Sequence, residues 1–248
     1  MNLSGPDSFA TTRWTLVLAA AGKSSSPEPA TDPASSTRAL TELCRLYWKP
    51  LYAHARRRAL SPTDAEDAVQ GFFARLLRLE SLASVDRGRG RFRAFMLGAF
   101  NHYLSDLRDH NRAERRGVHL ITPLDTQAAE AAFAQTPSPD LPPDRAFDRA
   151  WALALLATVT TRLRSEHLAA GRTVLFEALS PSLAGRRADV AHDALAAKLG
   201  LSEPAIRVAL HRMRQRYRQL LREEIAHTVA CPDEIDDELR LLLTALSG

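Results

Sequence analysis

Cysteine is nearly missing from this chain, whose 248 residues contain only Cys44 and Cys231. The two lie far apart and form no metal-ligand spacing, which argues against a zinc finger or a disulfide scaffold and fits a reducing cytosol. Both are expected to be buried as small apolar residues. Strand signals are missing as well, since alternating β-branched runs do not occur, and the expected fold class is all-α. Long hydrophobic runs are also lacking. The longest, Trp151 to Val159, falls well short of the roughly 20 residues that cross a bilayer, and the N-terminus has no basic-then-apolar signal arrangement. The expectation is a cytoplasmic protein without membrane insertion.

What is present is ordinary in bulk and uneven in detail. A hydrophobic content of 45% with 25% charged residues is normal for a globular protein and argues against disorder of the whole chain. The length suits one large or two small domains with real cores. Net charge is only +4, with a pI near 9.4, so the clustering of basic residues matters more than their sum.

That clustering is strongest in the last third. A short helix pattern from Ala191 to Leu199, with Val190, Ala194 and Leu195 as its apolar side, meets Gly200, where a tight helix-to-helix turn needs positive φ. Ser202 is placed to cap the next helix, and Pro204 falls in its first turn, where no intrahelical bond is lost. Ile206, Leu210, Met213, Tyr217, Leu220 and Leu221 then recur at three- and four-residue steps and predict a buried face. The opposite face holds Arg207, His211, Arg214 and Arg218, flanked by Arg212, Arg216 and Arg222. From Lys198 to Arg222 there are seven Lys/Arg against the single acid Glu203. Arginine forks bind phosphate oxygens bidentately and also read guanine in the major groove, so the pattern points to a DNA-binding helix-turn-helix. A merely solvated arginine face is the plainer account, and the coincidence of turn, cap and charge weighs against it.

Earlier in the chain, Thr12 to Ala21 reads as a short amphipathic helix followed by a Ser/Pro/Ala-rich link from Gly22 to Ser36. A helical block runs from about Thr37 to Arg116. In it Leu40, Leu43, Tyr47 and Leu51 share one face, and Pro50 is expected to bend their helix. Ser61-Pro62-Thr63-Asp64 is a helix start, after which Ala65, Ala68, Val69, Phe72, Phe73, Leu76 and Leu77 keep helical phase. Glu66, Asp67, Gln70 and Arg75 remain outward. After Arg87 to Arg91, a further helix sets Phe92, Phe95, Met96, Ala99, Phe100, Tyr103, Leu104 and Leu107 on its apolar side. Its opposite arc carries Arg93, Ala94, Gly98, Asn101, His102, Ser105 and Arg108. The small residues of that arc permit close approach, and its polar ones can hydrogen-bond bases and phosphates. Interleaved aromatics suit unstacked bases too, although their spacing makes them core first. Gly117 to Arg145, with five prolines, reads as an extended linker. Helices resume near Ala146, with Trp151, Leu155, Leu156, Val159 and Leu163 on one and Val174, Leu175, Phe176 and Leu179 on the next.

The run Leu43 to Tyr52, then Asp64-Ala-Glu-Asp-Ala-Val-Gln70 with Phe72 and Phe73, then Phe92-Arg-Ala-Phe95 through Asn101 to Arg108, resembles the promoter-melting domain of bacterial sigma factors of the extracytoplasmic-function (ECF) type. Ala194 to Arg214 resembles the second domain of the same family. The resemblance covers about Thr37 to Arg116 and Ala146 to Val229. It implies two helical domains joined by a Pro-rich linker, the C-terminal one with a helix-turn-helix. Expected boundaries are 1–36 for a short helix and link, 37–116 for core binding and promoter −10 melting, and 117–145 for a flexible linker. Residues 146–229 form the −35-binding domain and 230–248 an acidic amphipathic tail.

The resemblance implies a non-enzymatic subunit that joins RNA polymerase core, recognises promoter DNA and initiates transcription of a specific gene set. Asp64, Glu66, Asp67 and Gln70 would engage the clamp helices of the largest polymerase subunit. Arg93, Asn101, His102, Ser105 and Arg108 would meet the −10 element, and Arg207, His211, Arg212, Arg214 and Arg218 the −35 element. An inhibitory partner protein is a further expectation of the family, while no cofactor or metal is expected. Phe95, where family members often carry tryptophan, the Glu203-Pro204 opening and the insertion from Leu179 to Ala188 depart from the family pattern.

The alternative is a helix-turn-helix regulator acting without polymerase, which leaves the helices around Asp64 to Leu77 and Phe92 to Arg108 without a purpose. An enzyme would have to use His102, Asp106, Asp109 and His110 as metal ligands, and no second ligand cluster accompanies them. In the tail, Ile235, Leu239, Leu242 and Leu246 fall on one face, with five acids and Arg240 between Cys231 and Gly248. Its leucine face is expected to pack on a neighbouring domain. The sharper account has its acidic face compete with DNA for the basic helix.

Overall fold

The structure is a computed structural model that describes residues 33–77, 92–111, 126–134, 141–183, 195–196, 199–229 and 231–247. Among these residues there are eight α-helices and no strand. They are α1 (Pro33–Arg57), α2 (Pro62–Leu77), α3 (Phe92–Asn111), α4 (Thr126–Ala134), α5 (Pro143–Ala169), α6 (Thr173–Leu179), α7 (Glu203–Ala226) and α8 (Ile235–Ser247). The all-α class follows from the 3.6-residue spacing of the apolar positions. No described helix is long and apolar enough to cross a membrane. The expected helix at Thr12 to Ala21, the Arg87 to Arg91 stretch and most of the Ala191 to Leu199 helix lie outside the described residues.

The chain divides into two compact units, Met1–Ala154 with Ile225–Gly248, and Leu155–Glu224. In the first, Tyr47 and Leu51 of α1, Val69, Phe72 and Leu76 of α2, and Phe92, Met96, Phe100 and Leu104 of α3 are buried together with Phe147 and Trp151 of α5. Edge-to-face aromatic pairs tie the elements together. Phe72 meets Phe100 with ring centroids 5.2 Å apart, and Tyr47 meets Phe92 at the same distance.

The α1–α2 turn is tight. Ala59 takes φ of 64°, and the Leu60 and Ala59 N–H groups donate back to the carbonyls of Ala55 and Arg56. That is a helix-ending bond pattern that usually recruits glycine. Ser61 then caps α2, its Oγ accepting the Asp64 N–H at 3.1 Å and donating to the Asp64 carboxylate at 2.7 Å, as the Ser-Pro-Thr-Asp sequence predicts.

Several features differ from the sequence expectations. Within the stretch expected to be an extended linker, Thr126–Ala134 is a helix docked on α1. Arg56 donates to both oxygens of Glu130 at 3.0 and 2.9 Å, and the Tyr52 hydroxyl donates to Oε2. Phe133 lies under the guanidinium groups of both Arg56 and Arg57. The prolines flanking this stretch masked an alanine-rich segment with none of its own.

In the tail, the burial of Leu242 agrees with the expected packing of its leucine face, and Glu238 is the difference. Helix α8 belongs to the first unit, and Glu238, read from the sequence as part of an acidic outer face, is fully buried. Its carboxylate accepts from Arg93 Nε at 3.0 Å while Leu242 packs beside it in the core. Cys231 is exposed rather than buried, and Cys44 is half-buried, where burial pushes its thiol up to about 12.

In the second unit Val159 and Leu163 of α5, Phe176 and Leu179 of α6, Ala196, and Ile206, Leu210, Met213 and Leu220 of α7 form one cluster, with Tyr217 and Leu221 packed against it. Val174, expected on the apolar face of α6, is 68% exposed. Gly200 has φ of +65°, the conformation expected for the turn, and Leu201 N–H donates to the Ala196 carbonyl across it.

Candidate nucleic-acid interface

Helix α7 begins where its sequence says it should, with Ser202 Oγ accepting the Ala205 N–H at 3.4 Å and Pro204 in the first turn. Burial of Ile206, Leu210 and Met213 turns the opposite side of the helix outward. Arg207, His211, Arg212 and Arg218 are all exposed there. Arg207 pairs with Glu203 one turn earlier, whereas Arg212 and Arg218 have no acidic partner among the described residues.

Arg214 and Arg216 are committed to the fold. Arg214 is half-buried and donates to the Ser182 carbonyl at 2.7 Å. Arg216 forks onto both oxygens of Glu166 at 2.6 and 2.8 Å, and these hydrogen bonds hold the Glu166 carboxyl below its usual range. The exposed cations of α7 thus form a narrower set than the sequence count suggests.

On α3, the strip Ala94, Gly98, Ser105 and Arg108 is exposed, with Asn101 half-buried within it and His102 exposed alongside. An added Cβ at Gly98 would meet nothing within 4 Å, so this side of the helix is open. Asn101 Oδ1 receives hydrogen bonds from His54 of α1 at 2.8 Å and from Arg58, the residue that follows α1, at 2.6 Å.

Arg93 departs from its expected role as a DNA contact. It is 12% exposed, bridges Asp148 and Glu238, and lies with its guanidinium 5.0 Å from the Trp151 ring centroid. Burial works against its charge, but the two carboxylates outweigh that and raise its pKa. The side chain is therefore consumed inside the unit, which removes it from the −10 set. A fully buried acid one helix away left no trace in the local sequence of α3.

The α2 strip is exposed at Asp64 and Asp67 and half-buried at Glu66 and Gln70, with Gln70 Nε2 donating to Glu66 at 3.0 Å. Arg75, the basic end of this strip, pairs with Asp106 of α3 at 2.8 Å. Asp106 is thereby occupied, and among the described residues no group of three or more His, Cys, Asp or Glu could hold a metal ion. The side chains of Asp109 and His110 lie outside the described residues.

Sequence reasoning passed over His54 and Arg58. The available signal was the density of cations closing α1, where His54, Arg56, Arg57 and Arg58 exceed what a helix C-terminal dipole needs. The chain matches no family model, no curated protein and no solved structure.

Proposed function

We propose that this protein is a sigma factor of the ECF type, a dissociable subunit that joins RNA polymerase core and directs it to promoter DNA in the cytoplasm. The observation that carries the reading is the division of labour on α7. Its apolar face is sealed in a core while His211, Arg212 and Arg218 stand exposed after a positive-φ glycine turn, an arrangement suited to the major groove. The open polar strip of α3 would take the −10 element, and the acidic edge of α2 the polymerase clamp. The second role rests on resemblance and on the exposure of Asp64 and Asp67.

Co-purification with polymerase core tests the reading directly. The wild-type chain is expected to bind core and to support transcription from a subset of promoters, and Asp67→Arg is expected to abolish core binding. That change should leave thermal stability within about 0.5 kcal/mol, as is usual at exposed positions. DNA binding without any association with core would establish the alternative of a polymerase-independent regulator. An inhibitory partner belongs to this proposal as a family expectation only.

A further inference from the structure

Asn101 is held by the C-terminal end of α1 and the turn after it in a way that fixes which of its atoms faces outward. Arg58 Nη1 lies 2.6 Å from Oδ1, and a guanidinium has only donors, so the amide oxygen must be the atom turned inward. His54 Nε2 lies 2.8 Å from the same oxygen and must therefore carry its proton and donate. The imidazole is 1% exposed and edge-on to Phe100, with centroids 6.1 Å apart, and its Nδ1 faces the Asp144 carboxylate at 3.6 Å. Two donors occupy the oxygen. What Asn101 can offer a ligand is the Nδ2 amino group alone, which has no partner among the described residues.

We infer that His54 and Arg58 are positioning residues that lock Asn101 as a pure hydrogen-bond donor, so that it selects a base by an acceptor atom and rejects an amino group at the same place. The inference rests on the promoter-binding reading of α3 and names its specificity. An unrestrained asparagine presents donor and acceptor together and pairs with adenine through both. The double clamp forbids that bidentate mode. Favoured edges at one promoter position are then those whose facing atom is a carbonyl or a ring nitrogen.

The test uses the full chain bound to polymerase core and a promoter library randomised through the −10 segment, with enrichment read by sequencing. Wild type is expected to show a preference for an acceptor-bearing base at one position. Asn101→Asp keeps an acceptor for His54 and Arg58 but turns the outward atom from donor to acceptor. The preference at that position should shift about tenfold toward bases carrying an amino group there, within the range for one good base contact. The double variant His54→Phe, Arg58→Leu should flatten preference at the same position while core binding persists.

A mere structural role for the clamp would lower stability and leave the preference intact, which overturns the inference. Uniform loss of enrichment across all sequences in Asn101→Asp would mark a phosphate contact and overturn it equally. If wild type enriches no sequence at all, the promoter reading itself fails, a result distinct from an unshifted preference.

Discussion

Gly71 shows how a single residue is fixed by its neighbour rather than by its own helix. In the middle of α2 an alanine would ordinarily be favoured by about 1 kcal/mol. Its methyl, however, would fall inside contact distance of the Tyr103 hydroxyl, which lies over this glycine from α3. Gly71→Ala is therefore expected to destabilise the protein in urea denaturation despite its better propensity. Adding Tyr103→Phe removes the offending oxygen and leaves the ring carbon 3.3 Å from the new methyl. The double variant should recover about 1 kcal/mol, a coupling that a denaturation cycle measures. Nothing local in the sequence of α2 announces this constraint. The same holds for Glu238, whose acid neighbours in sequence suggest solvent while its partner, Arg93, lies 145 residues away.

Among elements, α4 is held to α1 in part by one carboxylate. Hydrogen bonds from Arg56, with help from Tyr52 and against the opposing effect of burial, hold the Glu130 carboxyl below the usual range. Because the folded-state value is lowered, its stabilising contribution is complete above the unfolded range and disappears as the pH falls through the folded value. Contacts between the Phe133 ring and Arg56, followed by NMR, are expected to be lost as the pH falls below the ordinary glutamate range and through the lowered folded value, and Glu130→Gln should remove that pH step. For α7, Arg212→Ala and Arg218→Ala are each expected to reduce the slope of log affinity against log salt by about 0.9 on promoter DNA. Arg214→Ala should instead cost about 1 kcal/mol of stability through the lost bond to Ser182.

Much of this level was legible in advance. The burial phase of α2, of α7 and of half of α3, the Ser61 and Ser202 caps and the Gly200 turn all follow from local spacing. The helix at Thr126–Ala134 and the withdrawal of Arg93, Arg214 and Arg216 were not legible, because each depends on a partner brought near only by the fold.

For the molecule as a whole, the placement of α8 decides what its removal does. Truncation after Val229 strips Glu238 from Arg93 and uncovers the core beside Leu242. Breaking a buried ion pair by removing one partner typically costs about 3–5 kcal/mol, so chemical denaturation should show a loss of at least that order. A brace predicts this loss without tighter DNA binding, whereas competition for the basic helix predicts tighter binding, clearest at low salt. The Arg93–Glu238 contact also has a consequence in time. At about 5–20 residues per second, a ribosome reaches codon 238 roughly 7 to 30 s after codon 93. Through that interval the nascent first unit lacks one of the two carboxylates that neutralise its inner arginine. Its finished form is available only to a chain translated past α8, which sets the earliest moment at which a new copy can act.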